Sequence, residues 1–187
     1  TNINGNSNSS ETVTICPHGT YIDSTSSCKT CSASTYCPLG STKPLDCPPG
    51  NYCPDGINEI SCPSGNFCYD GRDPFPCPSG SYCPVNTENY NLCPSGFYCP
   101  DVNTILICPS GSYCPIGSTS PLLCPVGSFC PDGSITNNVC PSGFYCPDPY
   151  TNLLCPSGSY CPSGSILPSI CPSGTFCLSG SSNKNIC

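Results

Sequence analysis

Cysteine is the residue whose number and spacing could do chemistry in this chain, at 23 of 187 residues. Three chemistries are open to it. Metal–thiolate binding wants closely clustered, reduced thiols, whereas here the motif is almost always Cys-Pro in steps of six and then nine or ten residues, so no metal site is expected. Dithiol redox chemistry has one candidate spacing, Cys28-Lys29-Thr30-Cys31, but no βαβ pattern surrounds it and it reads as a joint between two modules. Disulfide formation is left, and a cysteine content of about 12% suits a disulfide scaffold. Such a chain belongs in an oxidising compartment, and we expect a secreted or cell-surface protein.

The remaining reactive residues are few. His18 is the only histidine and stands at the variable position of a Cys-Pro-x-Gly turn, which favours a surface residue over a general base. With no other constellation present, we expect no catalytic residues and no cofactor. Asp55, Asp70, Asp101, Asp132 and Asp148 recur at one position of a repeat described below. A row of carboxylates could hold Ca²⁺, but none has the dense acidic loop of a calcium site, and turn formation explains them better. Asn8-Ser9-Ser10 is the only standard N-glycosylation sequon, and Ser24 to Ser27 and Ser118 to Pro121 are candidate O-glycan segments.

Composition then says what must position these groups. There is no Met, Trp or Gln and a single alanine, Ala33, so long helices are not expected. Without cysteine, 45 apolar residues remain, about 24% of the chain, too few for one ordinary core of this length. A net charge of -7 with only Lys29, Lys43, Arg72 and Lys184 as cations removes the basis for binding nucleic acid or anionic lipid. The longest apolar run, Ile105 to Cys108, is far short of the roughly 18 residues of a membrane span, so no direct membrane insertion is expected. The absence of a signal peptide and of an initiator Met reads as a mature or excised segment with a lost leader. Polarity comes from 30 Ser, 14 Thr and 16 Asn, a charge-poor surface suited to glycans or to close packing in an assembly.

The organising feature is a repeat. From Cys31 the chain falls into units C-P-x-G-x-(Y/F)-C-P-x-G followed by five or six variable residues, beginning at Cys31, Cys47, Cys62, Cys77, Cys93, Cys108, Cys124, Cys140, Cys155 and Cys171, with Cys187 starting another. We call these repeats 1 to 10 and count positions from the first cysteine. The pitch is 15 or 16 residues. Position 6 is aromatic in all ten: Tyr36, Tyr52, Phe67, Tyr82, Tyr98, Tyr113, Phe129, Tyr145, Tyr160 and Phe176. Position 4 is glycine except for Ser34, and the last residue is aliphatic in seven units (Leu92, Ile107, Leu123, Val139, Leu154, Ile170, Ile186). Proline after cysteine suits the second position of a turn, so Cys-Pro-Ser-Gly is expected to close a small hairpin. The aromatic is expected to cover sulfur and stack on its equivalent next door, and the aliphatics to merge into a thin apolar ladder. One such pair per unit cannot sustain an isolated unit, but an array gains an interface on both sides of each repeat.

Two disulfide registers compete. In one, each Cys-x5-Cys closes on itself; in the other, bridges span the variable segments, as Cys53–Cys62. Residues 16–30 form a leading module with the same head but no cysteine after Tyr21. Pairing Cys16 with Cys28 lets the first register continue as Cys31–Cys37, Cys47–Cys53, Cys62–Cys68, Cys77–Cys83, Cys93–Cys99, Cys108–Cys114, Cys124–Cys130, Cys140–Cys146, Cys155–Cys161 and Cys171–Cys177. Only Cys187 is left over, as the start of a further unit or an intermolecular link. The second register strands Cys31, and we favour the first, while crossed pairings stay open. Residues 1–15 are a cysteine-free, Asn/Ser-rich arm. Its end, Thr12-Val13-Thr14-Ile15, has β-propensity that could add a strand to a neighbouring subunit; a plain linker is the other option.

Cys16-Pro-His-Gly-Thr-Tyr21 through Cys28-x-x-Cys31 resembles the ephrin-receptor-like cysteine-rich repeat, which is related in style to tumour-necrosis-factor-receptor modules. The Cys-Pro-Ser-Gly-Ser-Tyr-Cys-Pro units resemble the compact variant interspersed with it in large extracellular proteins. The resemblance covers residues 16–187 and implies an extracellular, disulfide-linked rod of short hairpins without a catalytic site. The expected fold class is therefore small and disulfide-rich: mostly irregular, with short β-hairpins in an elongated tandem-repeat rod or solenoid and almost no helix. The expected function is structural, a glycosylated rod whose partners are copies of itself in a fibre, coat or stalk. The alternative is a receptor or adhesin stalk presenting variable loops, such as Asn86 to Tyr90, to a ligand. Near-uniform loops argue for the scaffold, and one idiosyncratic loop cluster would argue for binding.

Overall fold

The computed structural model describes residues 15–186. Asn8, the Thr12–Thr14 segment and Cys187 lie outside the described residues. Backbone contacts divide the chain into two compact units, residues 1–75 with 85–89 and residues 76–84 with 90–187.

Both units are built from the same element. Each repeat is an antiparallel hairpin whose strands are two residues long in most repeats, and the described residues contain no helix. The first strand takes positions 5 and 6 and the second the last two residues, as Ser128 opposite Val139 and Phe129 opposite Asn138. Repeat 5 has the longest pair, Phe97–Asp101 with Thr104–Ile107. The leading module pairs Thr20–Ile22 with Cys28–Thr30. Two-residue strands are marginal alone. Here a disulfide between positions 1 and 7 brackets the first strand in every repeat, Cys31–Cys37 through Cys171–Cys177, and Cys16–Cys28 closes the leading module.

The turn at the head of each repeat differs from the expectation. The position-5 N–H donates to the carbonyl of the position-2 proline, as Ser128 to Pro125 at 3.1 Å and Phe144 to Pro141 at 3.1 Å. Proline is therefore the first residue of the turn, not the second. Glycine is the third, where a positive φ such as the +77° of Gly127 is required for this turn type. The turn also does not close a hairpin. It links the second strand of one repeat to the first strand of the next, and the hairpin loop is the segment from position 7 onwards. The N–H of a new position-1 cysteine is tied back to the position-4 carbonyl behind it, as Cys140 to Gly127 and Cys155 to Gly143, both at 2.9 Å.

The interior is sulfur. Every buried apolar side chain among the described residues is a half-cystine, accompanied by the small polar residues Ser81, Thr87, Ser112, Ser128 and Ser134. Nine of the position-6 rings are half-buried and Phe176 is exposed. The strand-end aliphatics do not form an inner ladder. Ile107, Val139 and Leu154 are 54–56% exposed, and Leu123 and Ile170 reach 82% and 84%. The reason lies in the next contact along the chain. Ile107 packs on Gly133, Val139 on Gly164 and Leu154 on Gly180, within 3.3–3.8 Å of where a Cβ on each glycine would stand. Each of those glycines is position 10 two repeats further on. Repeat 8, two beyond Leu123, has Pro149 instead of glycine at position 10.

Repeats are joined to first neighbours by backbone hydrogen bonds. At one joint Gly96 N–H donates to Cys114 O, Cys99 N–H to Ser118 O and Gly117 N–H to Cys93 O, at 2.7–2.9 Å. The same three bonds join Gly143, Cys146 and Gly164 to Cys161, Ser165 and Cys140. Second neighbours meet by close approach. A Cβ on Gly80 would stand 2.5 Å from the carbonyl oxygen of Gly117, and one on Gly96 or Gly127 2.7 Å from that of Gly133 or Gly164. At Gly80, Gly96 and Gly127 glycine is thus required for two independent reasons, the turn it belongs to and the backbone packed against it.

Candidate functional site: grooves at the short repeats

Repeats of 15 and 16 residues differ in one loop, and the difference has a chemical cause. In 16-residue repeats the position-11 N–H donates to the position-8 carbonyl, as Ser41 to Pro38, Ser118 to Pro115, Ser134 to Pro131 and Ser165 to Pro162, at 3.2 Å. The serine hydroxyls donate to the same carbonyls at 2.6–2.7 Å. The four 15-residue repeats, beginning at Cys47, Cys62, Cys93 and Cys140, all carry Asp at position 9, and its carboxylate makes the turn instead. Asp55 accepts the Ile57 and Asn58 N–H groups, Asp70 that of Arg72, Asp101 that of Asn103, and Asp148 those of Tyr150 and Thr151, at 2.8–3.1 Å. The turn is one residue tighter, and the joint shifts with it. The preceding position-7 N–H bonds the carbonyl of position 10 in short repeats (Gly56, Gly71, Val102, Pro149) and of position 11 in long ones (Thr87, Ser118, Ser134, Ser165, Ser181).

These bonds set the acidity of the aspartates. The Ile57 and Asn58 N–H groups hold the Asp55 carboxyl below the ordinary value. The Asn103 N–H does the same for Asp101, followed by the Thr104 side chain. For Asp148 the Tyr150 N–H leads, followed by the Thr151 hydroxyl. In the leading module Asp23 is lowered first by the Thr25 hydroxyl and then by the Ser27 N–H. Asp132, at position 9 of a 16-residue repeat, is used differently: its carboxylate accepts the Ser110 N–H of the preceding repeat at 2.6 Å.

Three short repeats open a groove against the repeat before them, formed by the head turn of one repeat and positions 7–10 of the next. The groove at Asp101 has about 290 Å³ and is lined by Ser79 to Ser81, Cys99 to Val102 and Thr119. The Ser81 hydroxyl on its wall is fully buried with no hydrogen-bond partner. The groove at Asp148 has about 80 Å³. The groove at Asp70 has about 220 Å³ and is lined by Ser34, Asp46, Pro48, Pro49, Tyr69, Asp70 and Glu88.

The other sequence candidates are placed as follows. His18 is exposed on the head turn of the leading module. Cys28 and Cys31 belong to different disulfides, with Cys16 and Cys37. No group of three His, Cys, Asp or Glu side chains among the described residues could hold a metal ion. Of the loop Asn86 to Tyr90 that the sequence offered for ligand contact, Glu88 lines the groove at Asp70, whereas sequence reasoning missed Tyr69 and Ser81. For Tyr69 a signal existed: position 8 is proline in eight repeats, leucine at Leu178 and tyrosine only here.

No protein-family model matches the chain, and no curated protein is significantly similar to it.

Proposed function

We propose that this chain is an extracellular structural protein, a disulfide-stapled tandem repeat that self-associates into a fibre, coat or stalk and carries covalent glycans. The repeated disulfide-closed hairpins fit an extracellular cysteine-rich repeat protein, and no helix among the described residues is long and apolar enough to cross a membrane. The observation that carries the reading is the sulfur interior. A fold whose buried apolar side chains are half-cystines depends on an oxidising environment and gains resistance to unfolding from covalent closure of each repeat. Exposed aliphatics in the same register of successive repeats, such as Leu123, Val139 and Leu154, offer contact surface to further copies. The resemblance to ephrin-receptor-like repeats belongs to this proposal, as does the absence of catalysis. Electron microscopy of the oxidised protein over a range of concentrations tests it. Regular filaments or sheets are the expected result, and a monodisperse monomer at every concentration would contradict it. The second reading, a stalk that also presents a binding loop, is favoured by one observation: repeat 3 alone departs from the pattern around its groove.

A further inference from the structure

Repeat 3 brings three aromatic rings, Phe67, Tyr69 and Phe75, into one cluster. Tyr69 lies 5.1 Å from Phe75 between ring centroids and 6.0 Å from Phe67, and Phe67 lies 5.7 Å from Phe75. The interplanar angles are 28–37°, so the three are closer to parallel than to edge-on. Tyr69 is 56% exposed and forms one wall of the 220 Å³ groove. The polar residues that line it with Tyr69 are Ser34, Asp46, Asp70 and Glu88, and no lysine or arginine lines the groove.

We propose that this groove binds one neutral pyranose unit of a glycan. This goes beyond the scaffold reading and stands without it. A flat ring with an open face and a polar edge matches the alternating faces of a sugar, whose C–H groups pack on the ring while its hydroxyls point sideways. Those hydroxyls are donors, and the groove's carboxylates are acceptors only; such charge-assisted bonds are roughly twice as strong as neutral ones. The volume is below the roughly 300 Å³ at which pockets for drug-sized ligands begin, which fits a single ring. Uncompensated carboxylates also decide specificity. Sulfated, uronic and sialic sugars place like charge against Asp46, Asp70 and Glu88 and are excluded.

The test is saturation-transfer NMR on the intact oxidised chain. The probes are the methyl pyranosides of glucose, galactose, mannose and xylose, with methyl glucuronide and choline as charged controls. Transfer to the ring C–H protons of at least one neutral pyranoside is expected, with none to the glucuronide. Tyr69→Pro writes into repeat 3 the residue that eight repeats carry at this position, so it tests the ring in a sequence suited to the turn. It should weaken binding at least tenfold, while Tyr69→Phe should retain it and Asp70→Asn should weaken it. Absence of transfer from all four neutral sugars, binding unchanged in Tyr69→Pro, or binding of choline alone would overturn the proposal. The last result would assign the groove to organic cations.

Discussion

Gly143 lies directly beneath Gly180, so that a Cβ on Gly143 would stand 2.6 Å from the Gly180 carbonyl oxygen, although the two residues belong to repeats two apart. A linear repeat protein is ordinarily held by first neighbours alone. Here a second contact joins repeats two apart, and at Gly50, Gly80, Gly96, Gly127 and Gly143 it leaves position 4 no room for a side chain.

Gly143→Ala and Gly174→Ala should therefore differ. Both force a side chain onto a positive φ, which costs about 1–2 kcal/mol. A Cβ at Gly174 meets nothing within 4 Å, whereas one at Gly143 meets backbone, and overpacking adds about 1–3 kcal/mol. Urea denaturation of the oxidised variants should place Gly143→Ala at the lower midpoint. Equal midpoints would show that the second-neighbour contact is not tight.

Ser34 is the one position-4 residue that is not glycine, and it holds φ at +72°. Ser34→Gly relieves the left-handed strain but adds freedom to the unfolded chain, leaving a net gain of about 0.5–1 kcal/mol. Thermal unfolding should move upward, and a downward shift would mean that the serine side chain contributes more than its strain.

The short repeats make stability sensitive to acid. Asp55, Asp101 and Asp148 have folded-state pKa values held below the ordinary aspartate value, so the unfolded chain binds protons first as pH falls. Their contribution is complete above about pH 4, the unfolded value. It is lost as pH falls from there through the lowered folded values. Denaturation midpoints measured from pH 6 to pH 2 should decline in that lower range. Asp148→Asn, which keeps an acceptor oxygen, should reduce the slope while largely keeping the turn, and Asp148→Ala should lose both. A slope unchanged in Asp148→Asn would remove the aspartate from the account.

Removing one staple should be costly but local. Replacing Cys124 and Cys130 together by serine opens a seven-residue loop, worth about 2.4 kcal/mol in the chain-entropy model. Hydrogen exchange should show faster exchange concentrated in repeat 7 and the repeats it touches. Uniform acceleration across the chain would indicate a single cooperative unit instead.

What the sequence shows of this fold follows from which positions never vary. The Cys-x5-Cys step and the position-4 glycine inside it, replaced only by Ser34, mark the units and make the self-closing pairing the simplest one. The turn assignment went astray because Pro-x-Gly fits a turn starting at the cysteine as well as one starting at the proline; only the Ser128 to Pro125 bond separates them. The meaning of the alternating pitch was hidden because a missing residue and an aspartate look unrelated until Asp148 is seen accepting the Tyr150 N–H. The placement of Leu123 was equally hidden, since the glycine that Ile107, Val139 and Leu154 each meet two repeats on is Pro149 in its case. Tyr69 was visible as an exception but carried no meaning without the groove beside it.

The central claim is that every repeat is closed on itself by its own disulfide, and proteolysis before aspartate tests it directly. Cleavage before Asp132 and Asp148 in denaturant, without reduction, releases residues 132–147, which contain only Cys140 and Cys146. The account predicts that this fragment is recovered free, with the mass of one internal disulfide. Recovery of the fragment covalently joined to its neighbours, through Cys130–Cys140 or Cys146–Cys155, would contradict it.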